Sequence, residues 1–326
     1  MKYRRLGRTE IQISEVSFGG GRSGGLLIDA PIPERKLALQ IAADSGINWV
    51  DTAPQYGDGA SEAALGELLP EFPDHFYLST KVRVDRNSTQ SFREQIRASF
   101  EGSQHRLKKS DVTLLQLHNR IAEDNDPRSV TSEDVLCPGG IADALEELRD
   151  QKLTQFIGIT GLGDKDSTRK VIESGRFDTA QVYFNMLNPS ASRTEMPSNW
   201  VGFDATGIFD ACIKQDMGIL AIRIFAASYL ASSERTGRES VLTTNTSPEE
   251  EARMSNVILT KIIPNSANPA EIALRFCLAN KQISSAIIGS AQASHVSDAV
   301  TAASREPLPK ELFAELENLY NNNFAF

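Results

Sequence analysis

Several residue types are scarce in this 326-residue chain, and each scarcity excludes a class of protein. The three cysteines are scattered, so neither a disulfide framework nor a cysteine-based zinc site is expected. Acidic residues outnumber basic ones by 43 to 34, and the net charge of −9 argues against a nucleic-acid partner. Among only four histidines, none forms a His-x-His pair with a strand-end acid, so we expect no metal site.

Long apolar runs are also missing. No stretch of 18 apolar residues occurs, and the first ten residues, MKYRRLGRTE, lack the apolar core of a signal peptide. The sequence therefore predicts no membrane partner and a cytoplasmic location. What the chain does have is 40% apolar and 24% charged residues, a composition typical of a globular protein with a large core.

Eight short apolar runs, each closed by glycine, proline or polar residues, have the pattern of β-strands. They are VSFGG at 16–20, NWVDT at 48–52, FYLSTKV at 76–82, VTLLQLH at 112–118, FIGITG at 156–161, AQVYFN at 180–185, GILAIRI at 218–224 and SAIIGS at 285–290. One helical pattern separates each strand from the next. Continuous apolar strands alternating with helices indicate a parallel sheet that is covered on both faces. Eight such units predict an α/β fold of the (β/α)8 TIM barrel type.

A doubly wound open sheet is the alternative fold. It would need a G-x-G-x-x-G turn, and the segment FGGGRSGG at 18–25 has the wrong spacing and no acid at the expected place. We therefore predict a single barrel domain over residues 1–326. Residues 4–14 indicate an N-terminal β-hairpin that turns at Gly7 and Arg8 and closes the barrel bottom. The long polar segment 226–262 is expected to be a loop with some helix.

Polar side chains follow three consecutive predicted strands. Asp51 ends the second strand and is followed by Tyr56, Lys81 lies at the end of the third, and His118 at the end of the fourth. Barrel active sites lie at the carboxyl ends of the strands, and neighbouring strands are about 4.8 Å apart. Each residue alone has an ordinary explanation, such as a turn-forming acid or a solvated lysine. Together on neighbouring strands, the four groups indicate an active site in which Asp51 pairs with Lys81.

This combination suits hydride transfer between a reduced nicotinamide and a carbonyl group. The carbonyl oxygen must receive a proton, and a phenol with a pKa near 10 is a poor acid by itself. A charged Lys81 would lower the pKa of Tyr56, and Asp51 would keep Lys81 charged and oriented. A neutral His118 would hydrogen-bond the carbonyl oxygen. In the reverse direction Tyr56 would act as the base for alcohol oxidation.

Three segments, DTAPQYG, STKV and LLQLHN, resemble the signature blocks of the aldo-keto reductase superfamily in order and spacing. The resemblance extends from RRLGRT at the N-terminus to the AIIGS strand. It implies that Asp51, Tyr56, Lys81 and His118 form the catalytic tetrad, with Tyr56 as the general acid/base. It also implies a cofactor, NADP(H) or less often NAD(H), bound across the barrel mouth, and a small carbonyl compound or sugar as substrate.

The same resemblance implies cofactor-binding residues near the nicotinamide. Gln181 matches the glutamine that bonds the carboxamide. Thr160 and Gly161 replace the Ser-Asn pair that is common in the family, so one carboxamide contact is expected to be lost. Ile222 stands where an aromatic residue often stacks on the nicotinamide ring.

The adenosine end departs further from the family pattern. Gly289, Ser290 and Gln292 lie where backbone N–H groups at a helix start would hold the adenosine phosphate, although such a turn also occurs for structural reasons alone. Ala291 and Gln292 stand where the family usually has a basic residue that binds the 2′-phosphate, and Ala299 replaces an adenine-binding asparagine. We therefore expect less than about hundredfold discrimination between NADP(H) and NAD(H). An arginine from elsewhere would restore a preference for NADP(H); the candidates are Arg223, Arg235 and Arg238.

The segment FIGITGLG resembles the branch of the superfamily that includes aldose and L-galactose dehydrogenases. The predicted function is therefore carbonyl–alcohol interconversion, with aldose oxidation to the lactone as an alternative and a non-enzymatic, nicotinamide-sensing regulatory subunit as a second. The loops 119–130 and 186–203 and the tail 321–326 are expected to line the substrate pocket. Within them, Trp200 and Phe203 either stack on a substrate ring or anchor their loop.

Overall fold

The computed structural model describes residues 1–232, 247–264 and 266–325, and its centre is a closed barrel of eight parallel strands. The N-terminal hairpin strands are β1 (Tyr3–Arg5) and β2 (Gln12–Ser14). The barrel strands are β3 (Val16–Gly19), β4 (Trp49–Asp51), β5 (Tyr77–Val82), β6 (Val112–Leu117), β9 (Thr154–Thr160), β10 (Thr179–Tyr183), β11 (Gly218–Ile222) and β12 (Ser285–Gly289). β12 pairs with β3 and closes the ring, so the TIM-barrel prediction is confirmed and the open-sheet alternative is wrong.

Helices surround the barrel. They are α1 (Leu26–Asp29), α2 (Ile32–Asp44), α3 (Ala60–Leu68), α4 (Phe92–Leu107), α5 (Ser132–Leu136), α6 (Ile141–Asp150), α7 (Lys165–Glu173), α8 (Ile208–Lys214), α9 (Pro248–Val257), α10 (Pro269–Ala279), α11 (Ala293–Ser304) and α12 (Lys310–Asn321). Local sequence explains their ends: at α4, Ser91 and Glu94 form a reciprocal capping box.

The expectation of one helix in each step between barrel strands is wrong in three places. The step from β3 to β4 adds the short α1, and the step from β11 to β12 contains both α9 and α10. The step from β6 to β9 contains α5, α6 and a small parallel pair, β7 (Arg120–Ile121) and β8 (Ser129–Val130). The segment 226–262 includes α9 and a π-helical turn at Ile258–Ile262, which matches the expected loop with helix over its described part.

The hairpin formed by β1 and β2 closes the bottom of the barrel, as predicted. Leu6 and Ile13 are fully buried and pack against Trp49, Leu114 and Leu220. Gly7 adopts a φ of +50°, and a Cβ there would lie 2.2 Å from the Gly218 nitrogen, so only glycine fits this contact. Across the described residues, no helix combines the length and apolar character that a membrane crossing requires.

Candidate active site

The carboxyl ends of the barrel strands surround a cavity of about 1560 Å3. Asp51 ends β4, Tyr56 lies in the turn that follows it, and His118 comes directly after β6; all three line the cavity. Lys81, near the end of β5, is fully buried beneath Tyr56, with its Nζ 4.9 Å from the centroid of the phenol ring. The structure therefore brings the four predicted residues together.

Asp51 and Lys81 form a buried ion pair. Lys81 Nζ lies 2.6 Å from Asp51 Oδ2 and donates a second hydrogen bond to the Thr52 carbonyl at 2.8 Å. The other carboxylate oxygen, Oδ1, accepts from Ser79 Oγ at 2.7 Å and from Gln181 Nε2 at 2.6 Å. Burial is the largest effect and lowers the pKa of Lys81, but the charges of Asp51 and Tyr56 and the hydrogen bonds with both groups together outweigh it, and the net pKa is raised. Lys81 therefore stays charged without contact with water, because the carboxylate compensates its desolvation.

Tyr56 experiences opposing effects. Burial raises the pKa of its phenol above the ordinary value of 10.0, and the charge of Lys81 lowers it only in part. Lys81 lowers the pKa of the phenol as the sequence predicts, and the desolvation of the phenolate in this cavity, which the sequence does not indicate, outweighs that contribution. The ring of Tyr56 also makes an edge-to-face contact with His118, at 5.7 Å between centroids.

His118 is held neutral. Burial first, and then the charges of Lys81 and Arg83, place the pKa of its imidazole well below the usual 6.5. Its Nδ1 lies 2.8 Å from Gln55 Oε1. A neutral imidazole has one donor and one acceptor nitrogen, so the Gln55 amide selects the tautomer. With Oε1 facing the ring, Nδ1 carries the proton; a half-turn of the amide group would place the proton on Nε2.

The residues predicted to contact the nicotinamide surround the same end of the cavity, with one exception. Thr160, Gln181 and Ile222 line it. The Gln181 side chain donates one amide N–H to Asp51. Its second amide N–H and its side-chain oxygen Oε1 are left for other partners. Thr160 Oγ1 donates to the Leu117 carbonyl at 3.0 Å. Gly161 is buried beside the lining, with its N–H bonded to the Gln181 carbonyl at 2.8 Å.

The other end of the cavity reaches the start of α11. Gly289, Ser290 and Gln292 line it, as the sequence predicts for an adenosine-phosphate site. Gln292 makes no side-chain cap bond to the helix. Instead, Glu34 Oε1 from α2 accepts the Ala293 N–H at 2.6 Å. Sequence reasoning missed Glu34, because nothing in its local sequence indicates a contact with a helix some 260 positions away.

Two further sets of lining residues were also missed. The glycine-rich segment 19–25 passes along the cavity and is held by a hydrogen bond from Leu26 N to Ser290 O at 3.1 Å. Its glycine content is a signal of close backbone approach to a ligand, although its spacing does not match a G-x-G-x-x-G turn. The second set is the three arginines Arg83, Arg120 and Arg128, which also line the cavity. Burial and the charge of Arg128 lower the pKa of the Arg83 guanidinium.

The expected pocket loops behave differently from one another. Arg120 and Arg128 of the loop 119–130 line the cavity, as predicted. Of the described residues, none from 186–203 or 321–325 does so. Trp200 packs against Tyr320 and Phe324, and Phe203 is buried against Tyr183. Aromatic packing onto α12 thus draws this loop away from the cavity, and of the two interpretations the structure favours the loop anchor.

The candidate arginines for a 2′-phosphate contact have separate outcomes. Arg223 lines the cavity, but its guanidinium lies 3.8 Å from the carboxylate of Glu251, and both side chains are buried. Arg235 and Arg238 lie outside the described residues. The sequence prediction for these two arginines therefore stays a prediction.

The fold and the cavity define the class as a (β/α)8 barrel with a cluster of ionisable residues at its mouth, and comparisons identify the family. The sequence profile of the Aldo/keto reductase family matches residues 15–321. The chain is 28% identical to D-threo-aldose 1-dehydrogenase of a Pseudomonas species, covering 94% of each chain. It is 26% identical to L-galactose dehydrogenase of Arabidopsis thaliana, covering 97% of this chain and 93% of that protein.

A solved structure supports the fold. The holo form of an aldo-keto reductase from Bacillus halodurans superimposes with a TM-score of 0.73 at 20% identity, over 98% of this chain and 96% of that one. With the family profile spanning nearly the whole sequence, the chain belongs to the aldo/keto reductase family and is an oxidoreductase of that kind. Members of the family use nicotinamide cofactors and act on small carbonyl compounds or sugars.

Proposed function

We propose that residues 1–326 form one barrel domain that interconverts a carbonyl group and an alcohol with NAD(H) or NADP(H), and that Tyr56 is the general acid/base. The observation that carries this proposal is the buried Asp51–Lys81 pair, whose ammonium lies 4.9 Å from the centre of the Tyr56 ring. A charged lysine under a cavity-lining phenol has a clear chemical use, because it stabilises the phenolate that forms when the proton leaves.

In the direction of reduction, the Tyr56 hydroxyl donates its proton to the developing alkoxide oxygen. Lys81 compensates the charge left on the phenol, and Asp51 compensates Lys81. His118, neutral at physiological pH, orients the carbonyl through Nε2–H, which requires the Gln55 amide to present its NH2 group to Nδ1. In the direction of oxidation, the Tyr56 phenolate removes the hydroxyl proton while the same residues hold the alcohol.

The cavity fits a nicotinamide dinucleotide in extent and in polar lining. Its volume of about 1560 Å3 exceeds the roughly 300–1,000 Å3 of pockets for drug-sized ligands, which leaves room for a dinucleotide and a substrate. Ser290 contributes a buried hydroxyl with no partner at the end remote from Tyr56. Gln181, Thr160 and Ile222 would hold the nicotinamide and Gly289, Ser290 and Gln292 the adenosine phosphate. The bound nicotinamide would supply or accept the hydride.

Aldose oxidation to the lactone is the specific reaction that the relatives favour. Two relatives that align over more than nine-tenths of the chain are named for oxidation of sugars. An anomeric hydroxyl would lie toward Tyr56 and His118. The alternative of a nicotinamide-sensing subunit needs only the cofactor cavity and gives no reason for the Asp51–Lys81–Tyr56 arrangement.

The test is a cofactor titration followed by turnover assays. Binding of NAD+ and NADP+ would be measured by calorimetry, and reduced nicotinamide would then be followed by absorbance with a panel of aldoses, aldehydes and ketones. We expect saturable binding and turnover, with aldoses oxidised. Binding without turnover on any member of the panel would contradict the enzymatic proposal and favour the sensing subunit.

A further inference from the structure

The start of α11 forms the end of the cavity that lies opposite Tyr56. A helix start favours anions, because its first N–H groups lack partners and its dipole is positive. Here a carboxylate of the protein already occupies that position. Glu34 Oε1, from α2, accepts the Ala293 N–H at 2.6 Å, and the partly buried Glu34 side chain lines the cavity.

A second feature of this end points to a ligand. Ser290 is 3% exposed, lines the cavity, and its Oγ has no hydrogen-bond partner. Buried hydroxyls are normally satisfied, so an unpartnered one beside a cavity indicates a polar group supplied from outside. A serine hydroxyl both donates and accepts, so it suits a sugar hydroxyl as well as a phosphate oxygen.

Three acidic side chains at this end oppose an additional anion. Glu271 and Asp298 line it together with Glu34. Of the cavity-lining cations, Arg305 is ion-paired with Glu271 at 3.2 Å, and Arg22 of the glycine-rich segment is exposed. The Nε2 atom of His295 is hydrogen-bonded to Nε2 of Gln292 at 3.1 Å. A phosphate monoester with close to two negative charges would meet acids here and no uncommitted arginine or lysine from α11.

We propose that Glu34 makes this enzyme select NAD(H) over NADP(H). Its carboxylate repels the 2′-phosphate of NADP(H) from the start of α11, and it accepts a hydrogen bond from the free 2′-hydroxyl of NAD(H). An acid that accepts from a ribose hydroxyl is an effective way to reject the phosphorylated ribose. The inference rests on the proposed function, because it requires the cavity to hold a dinucleotide with its adenosine toward α11.

The experiment compares dissociation constants of NAD+ and NADP+ by calorimetry. We expect the parent to bind NAD+ about ten- to a hundredfold more tightly. Glu34→Gln retains an oxygen for the Ala293 N–H but removes the charge. This variant should lower the dissociation constant of NADP+ by about tenfold or more and change that of NAD+ by less than about threefold. The matched control is Asp44→Asn, which removes the same charge from the same helix about 15 Å away and should change neither constant.

A measurement on the parent alone covers the case in which the Glu34 variant folds poorly. Electrostatic repulsion is screened by salt, so the preference for NAD+ should narrow as ionic strength rises. The inference is overturned if the parent prefers NADP+, if Glu34→Gln weakens both cofactors equally, or if salt leaves the preference unchanged; in each case the proposed function survives. Failure of both dinucleotides to bind would overturn the proposed function together with this inference.

Discussion

At the scale of single residues, the proposed chemistry depends on how burial and two side chains, Lys81 and Asp51, set the proton affinity of Tyr56. Burial raises the pKa of the phenol and Lys81 opposes this effect, while Asp51 holds Lys81 charged. This balance keeps Tyr56 protonated at neutral pH, which is the form that reduction requires. Oxidation requires the deprotonated form, so the oxidation rate is expected to rise with pH.

Replacing Tyr56 by Phe tests the acid/base role. The variant removes the hydroxyl that exchanges the proton but retains the ring that packs against His118. We expect kcat to fall by about two to four powers of ten while the cofactor dissociation constant is nearly unchanged. Activity within a few-fold of the parent would refute the assignment of Tyr56.

Replacing Lys81 by Met tests the tuning of the phenol. Because Lys81 lowers the pKa of Tyr56, its removal should raise that pKa further and move the pH profile of oxidation to more alkaline values. The companion variant Asp51→Asn should affect chemistry less but reduce stability, since it leaves a buried ammonium poorly compensated. A profile for Lys81→Met that coincides with that of the parent would make Lys81 structural only.

Gln55 provides a test of the His118 tautomer. A carboxylate at position 55 only accepts hydrogen bonds, so Gln55→Glu should fix the proton on Nδ1 and raise the pKa of His118. Nε2 then donates only in the imidazolium form, so kcat/KM for reduction should fall at pH 8 by about tenfold and recover at lower pH. Gln55→Leu is the control: its kcat/KM should fall, but without the recovery at lower pH. Histidine NMR titrations would verify the shift, and identical profiles for both variants would exclude the tautomer role.

At the scale of elements, the barrel strands were predictable and their connections were only partly so. Runs such as VTLLQL are largely apolar along their whole length because both faces of a parallel strand are covered. This pattern can therefore be recognised in the sequence without knowledge of the tertiary structure. The connections obey no such constraint. The pair β7 and β8 has two residues in each strand, too short for any periodic signal. Glu34 contacts α11 only through the packing of α2 beside it, which a linear pattern does not encode.

The hairpin at the barrel bottom should be essential to stability and irrelevant to cofactor binding. Leu6→Ala would leave a cavity between the hairpin and Trp49, so the free energy of unfolding should fall by about 2–5 kcal/mol. Leu37→Ala, at a position that is 50% exposed, should change it by less than about 0.5 kcal/mol. Chemical denaturation measures both values, and equal losses in the two variants would contradict the hairpin's role as a plug.

At the scale of the whole molecule, one cavity joins two sites that the sequence revealed unequally. The proposed catalytic end could be predicted because Asp51, Tyr56, Lys81 and His118 lie at or just after the ends of recognisable strands, where the barrel geometry brings them together. The end proposed to hold the adenosine could not be predicted in the same detail. Its character comes from side chains of separate helices, so the absence of a basic residue was visible in sequence and the presence of Glu34 was not.

The central claim is that hydride passes between a substrate carbon and a nicotinamide beside Tyr56, and isotope transfer tests it directly. Aldoses deuterated at the anomeric carbon would be incubated with the enzyme and oxidised cofactor, and the reduced nicotinamide would be analysed by mass spectrometry. We predict that the deuterium appears at the nicotinamide ring with the parent enzyme, and that Tyr56→Phe forms this product about two to four powers of ten more slowly. Lactone formation that leaves the nicotinamide unlabelled would contradict the account.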